Sequence, residues 1–170
     1  MSVPASVTIG GTSRTVLREL LADAGVRLNA LAEQLFADGR FRTAREASLV
    51  RVVAVDVSTL GFPAGATFGQ LAGAARRRGL SLCPLELGPH LRLQYQAQPV
   101  SCDDKAIAGT APPGSITVAS APPPDDEPVP WGFYLRRIGA DNWLRGYRSG
   151  SAHVWAPDDV LVFVRADDAR

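Results

Sequence analysis

Up to Gly79 the apolar positions recur mainly at helical spacing, and beyond Ser115 they alternate in strand fashion. A short strand at 7–9 is followed by Val16, Leu17, Leu20, Leu21 and Ala24 on one helical stripe, with Ser13 placed to cap its start and Gly25 to end it. The spacing predicts a second helix from Asn29 that carries Leu31, Leu35 and Phe36 inward and stops near Gly39. Together these form a helical hairpin around a glycine turn. The β-branched run at 49–57 reads as a strand buried on both faces. After the glycine-bounded turn at 61–65, Thr67 and Gln70 make a capping-box pattern before a helix that buries Phe68, Leu71, Ala72 and Ala75. Gly69 and Gly73 lower helix propensity there, which implies close packing against a neighbour.

Beyond Pro89 the alternation His90, Leu91, Arg92, Leu93, Gln94, Tyr95 predicts a strand. Residues 96–113 lack periodicity and 121–130 are too proline-rich for helix or central strand, so both read as loops. Strands are expected at 115–120 and 160–165, and 131–138 with 142–148 reads as a hairpin turning at Gly139. The sum is one α+β domain over residues 1–170. In it an N-terminal helical hairpin and a crossover helix pack on a mainly antiparallel C-terminal sheet.

Composition changes this picture little. At 170 residues and 18.0 kDa, with 46% hydrophobic and 21% charged residues, the chain has ordinary globular composition and no apolar run long enough to span a membrane. No signal-peptide pattern is read at the N-terminus, so a cytoplasmic location with Cys83 and Cys102 reduced is the expectation. A net charge of +1 carries no global signature for nucleic acid or membrane. Basic residues fall inside predicted elements, whereas acidic ones gather in loops, at Asp103–Asp104 among others.

The densest chemistry lies at 80–95, where Cys83, Glu86, His90 and Arg92 sit among prolines and a glycine. On a strand, His90, Arg92 and Gln94 would share one face, and the hairpin would add Tyr134 and Arg136, or Arg145 and Tyr147. A face of His, Arg, Gln and Tyr suits a carboxylate or phosphate, since Arg supplies forked donors and its neighbours neutral ones. The competing reading is a solvated sheet face whose arginine stems cover aromatic rings. His90 beside Glu86 has the makings of general acid–base chemistry with Arg92 as anion clamp. Cys83 with His90 or His153 has the residue types of a nucleophile and base, without a local pattern to support it. Cys83, Cys102, His90 and His153 lack metal-site spacing, so no metal and no cofactor is expected. The glycine turn 10–13 lacks the rest of a phosphate loop, and Arg76–Arg78 complement a helix dipole. Residues 20–35 have generic helix-turn-helix spacing, but Glu33, Gln34 and Asp38 are poor groups for reading DNA.

The phrases L-C-P-L-E-L-G-P-H-L-R-L-Q-Y at 82–95, G-F-Y-L-R at 132–136, W-L-R-G-Y at 143–147 and P-D-D-V-L-V-F at 157–163 resemble a group of small bacterial proteins of unknown function. The resemblance spans most of the chain and implies no activity. The expected function is a non-enzymatic binding or accessory protein that recognises a partner protein or a small anionic ligand. The alternatives are a metal-independent enzyme built on His90 and a DNA-binding regulator through residues 20–35.

Overall fold

The computed structural model describes residues 3–101, 111–124 and 128–168. In chain order its elements are β1 (Ser6–Ile9), α1 (Arg14–Asp23), β2 (Arg27–Leu28), α2 (Ala30–Ala37), β3 (Ser48–Asp56), β4 (Ala66–Thr67) and α3 (Phe68–Arg77). There follow β5 (Leu80–Ser81), α4 (Leu87–Gln94), β6 (Ile116–Val118), β7 (Gly132–Ile138), β8 (Asp141–Tyr147), β9 (Val154–Trp155) and β10 (Val160–Arg165), closed by a 3-10 turn at Ala166–Asp168. The fold is α+β.

The main sheet is mixed, in the order β1-β3-β10-β6-β7-β8-β2, with β5 also paired to β10. Two of its pairings are parallel, β10 with β6 and β8 with β2. The expected antiparallel C-terminal sheet is corrected on both counts: β1, β2 and β3 come from the N-terminal half and parallel pairs interrupt the meander. β10 is the hub, since β3 pairs along one edge while β6 and β5 share the other end to end.

Strand alternation sends successive side chains to two separate cores. Val7, Val50, Val52, Val162, Phe133 and Leu144 pack with Leu17 and Leu21 of α1, Leu35 and Phe36 of α2, and Leu87 and Leu91 of α4. Leu161 and Phe163 pack on the opposite side with Phe68 and Leu71 of α3 and with Trp155 of the small β4–β9 ribbon, where Val53 and Val55 join them half-buried. Burial of β3 on both faces therefore holds only along its second half; Leu49 is 66% exposed.

Helix starts are where local chemistry is clearest. Ser13 and Asn29 accept from Val16 N–H and Ala32 N–H, and Thr67 with Gln70 forms the capping box. The helical hairpin needs correcting, because β2 lies between α1 and α2 and joins the sheet edge beside β8. Val16 and Leu20, expected inward, are both 43% exposed. A Cβ on Gly69 would touch nothing within 4 Å and one on Gly73 would meet only Arg77, so close packing does not explain those glycines.

The largest correction falls on residues 91–95, which end helix α4 and are not a strand. Pro84 and Gly88 stand before and inside its first turn, and Pro89 sits where its missing N–H costs no helical bond. Leu87, Leu91 and Tyr95, four residues apart, are buried together. The opposite positions Gly88, His90 and Arg92 are buried as well, so the helix shows no polar stripe to mark its period.

Candidate functional site

The seven residues expected on one polar face divide into three groups. His90 and Gln94, one turn apart on α4, clasp the outer edge of β1. Gly10 N–H donates to His90 Nε2 at 3.2 Å, Thr8 N–H donates to Gln94 Oε1 at 3.0 Å, and Gln94 Nε2 donates to Thr8 O at 2.8 Å. These bonds satisfy backbone groups that an edge strand otherwise leaves open. Accepting from Gly10 makes Nε2 the unprotonated nitrogen of His90, and burial lowers its pKa. Glu86 Oε2 lies 4.0 Å from that nitrogen, and burial raises the Glu86 pKa against the pull of the Ala44 and Gly10 amides.

Arg92 forms the second group and is fully buried. Its Nη1 donates to Gln98 Oε1 at 2.6 Å and its guanidinium lies 5.9 Å from the Tyr95 ring, while Nε and Nη2 have no hydrogen-bond partner among the described residues. Burial depresses its pKa to about 10, with the Arg137 charge acting in the same direction.

Tyr134, Arg136, Arg145 and Tyr147 form the third group, and here the alternation is borne out. Antiparallel register sets Tyr134 opposite Arg145, Arg136 opposite Trp143, and Gly132 opposite Tyr147. All five side chains therefore rise from one face of the β7–β8 ribbon. The Arg145 guanidinium stands 5.0 Å from the Trp143 ring, whose surroundings also include Arg27 at 5.8 Å. The Arg145 charge acts on the Tyr134 phenol beside it; burial pushes the Tyr134 pKa up and the arginines pull it back. The Arg145 Nε has no hydrogen-bond partner among the described residues. Arg136 is 3% exposed and its Nη2 donates to Ser101 Oγ at 3.2 Å. Tyr134 and Tyr147 meet at 6.4 Å, and Tyr147 turns its edge to Trp155 at 5.8 Å. Trp143 is not among the expected site residues, although its parity with Arg145 and Tyr147 on one strand places it on their face.

The other sequence candidates separate. Cys83 is a free buried thiol donating to Val162 O at 3.2 Å, and burial pushes its pKa far up, the reverse of an activated nucleophile. Cys102 lies outside the described residues, so its pairing is not described. His153 packs on Trp155 at 5.3 Å. Among the described residues no three His, Cys, Asp or Glu side chains gather as metal ligands. No helix there is long and apolar enough to cross a membrane. On α2, Ala32, Leu35 and Phe36 are buried while Glu33 pairs with Arg18, leaving an acidic residue on the side a DNA backbone would meet.

Comparison with known family models, curated proteins and solved structures gives no match to this chain.

Proposed function

We propose that the chain is a non-enzymatic binding or accessory protein of the bacterial cytoplasm, whose β7–β8 face recognises an anionic group carried by a small ligand or an acidic partner surface. The observation that carries this reading is Arg145, held between the Trp143 ring and the Tyr134 phenol with its Nε unpaired among the described residues. A guanidinium already fixed by its neighbours loses less freedom on binding and offers a forked pair of donors. Tyr, Trp and Arg are also the side chains that most often dominate binding energy at interfaces.

Catalysis by His90 with Arg92 as clamp draws little support, because Gly10 occupies His90 Nε2 and Arg92 points to Gln98, in different surroundings. The test is titration calorimetry with inorganic phosphate, pyrophosphate and acetate. Arg145→Gln is expected to weaken the binding of at least one anion about tenfold, and Arg145→Lys to weaken it partly, with an unchanged fold. Absence of saturable anion binding, or equal binding by Arg145→Gln, would sink the proposal.

A further inference from the structure

A concave site lies at the other end of the strand order from the β7–β8 face, and its chemistry is opposite in sign. It is a cleft of about 710 Å³ between the ends of β1, β3 and β10, the incoming segment 44–48 and the corner 82–86. That volume falls within the usual range for small-molecule sites, about 300–1,000 Å³. Its floor is apolar: Ile9, Val50, Cys83 and Val164 line it and each is buried. The hydrogen bond from Cys83 to Val162 O removes the thiol as a reactive group and leaves it as a wall.

Glu86 is the buried charge in this lining, at 4% exposure. Its carboxylate oxygens accept from Ala44 N–H at 3.3 Å each, and no lysine or arginine pairs with it among the described residues. The nearest titratable partner, His90, is held neutral by its bond from Gly10. At the rim, Asp168 is neutralised by Arg51, and Glu46 balances Arg45 in the count of lining charges, which leaves Glu86 as the surplus charge of the lining. A carboxylate taken out of water with only backbone amides for company is the group most improved by an incoming cation.

We propose that this cleft binds a small organic cation, an ammonium or amidinium carried on an apolar body, with its charged head on Glu86 and its body on the Ile9–Val50–Val164 floor. The raised pKa of Glu86 fits a carboxylate that lacks a counter-charge, and a bound cation would lower it. The site is independent of the anion-binding face, which lies on strands β7 and β8 beyond β10 and β6.

The experiment uses benzylamine, benzyl alcohol and benzoate as probes, followed by amide chemical shifts in two-dimensional NMR. Benzylamine is expected to give saturable shifts at 44–48 and 82–86, with benzyl alcohol at least about tenfold weaker and benzoate without effect there. Glu86→Gln should bind the amine and the alcohol alike. Ala121→Trp places a large ring at the exposed mouth and should abolish amine binding without touching the floor, which gives a readout should Glu86→Gln fold poorly. Equal shifts from all three probes in this segment, amine binding unaffected by Ala121→Trp, or preference for benzoate would each overturn the proposal.

Discussion

Gln98 holds three parts of the molecule with one buried side chain. Its Oε1 accepts from Arg92, and its Nε2 donates to Gly114 O at 3.0 Å and Leu135 O at 3.2 Å. Gln98→Leu would strand a buried guanidinium and two carbonyls, and is expected to cost about 2–4 kcal/mol in urea denaturation, from a lost hydrogen bond to a charged group and buried acceptors left unpaired. A cost under about 1 kcal/mol would mean that Arg92 finds other partners. The Glu86–His90 pair makes a prediction of a different kind. Glu86 has a raised folded pKa, so its stabilising contribution is present below its unfolded value and is lost as pH rises through the folded one. His90 has a lowered folded pKa, so its contribution is present above the unfolded value and is lost as pH falls through the folded one. Glu86→Gln is therefore expected to raise the melting temperature at neutral pH by about 2–4 °C, with the gain closing as pH falls into the carboxylate range. A melting temperature lowered equally at both ends of the pH range would refute the burial argument. Neither role was legible in the chain, because the parity that put His90, Arg92 and Gln94 together belongs to a strand. On α4 the same residues face β1 and Gln98 separately.

Elements are joined at a few close approaches, and Asn29 with Gly146 is one of them. Asn29 Oδ1 caps α2 by accepting from Ala32 N–H at 2.9 Å and also accepts from Gly146 N–H at 2.8 Å, while its Nδ2 donates to Gly146 O at 3.0 Å. A Cβ on Gly146 would stand 2.5 Å from the Leu31 carbonyl carbon and 2.6 Å from Ala32 N. Backbone cannot move aside as a flexible side chain does, so Gly146→Ala is expected to destabilise by about 3 kcal/mol or more. Asn29→Ala loses the cap and the clamp together and should cost about 2–3 kcal/mol, above the roughly 1 kcal/mol of an ordinary N-cap. Equilibrium unfolding of both variants checks this, and an Asn29→Ala cost of only a cap would show the clamp to be idle. The cap half of Asn29 was readable from its place before Leu31, Leu35 and Phe36. The clamp half needed β8 beside α2, a pairing across more than a hundred residues of chain that local pattern does not carry. The same distinction explains why the β7–β8 hairpin face was found and α4 was not. A hairpin brings neighbours in sequence together, whereas α4 is buried on nearly every side and hides its period.

At the scale of the whole molecule, β10 decides whether the two cores exist. It supplies Val162 and Val164 to one and Leu161 and Phe163 to the other, and it is the strand through which β3, β5 and β6 are connected. Its partners lie far back along the chain, with Val164 opposite Val52 and Ser81 and Val160 opposite Ile116. The sequence showed a strand at 160–165 without showing that it is the centre of the sheet, since β-branched runs specify a pleated segment and not its neighbours. A chain ending at Asp159 would leave β3, β5 and β6 with open edges facing one another, and would take Val162 and Val164 out of one core and Leu161 and Phe163 out of the other. Such a chain is expected to show no cooperative melting and no dispersed amide spectrum, and a synthetic 160–168 peptide added in trans should restore both in part. Removing only 166–168 tests the opposite limit. Arg51 and Asp167 there are largely exposed and Asp168 is only partly buried, so the loss of both pairs should cost about 1 kcal/mol. A truncation at Asp159 that still melts cooperatively would show that the sheet closes without its hub, and the division into two cores around β10 would have to be abandoned.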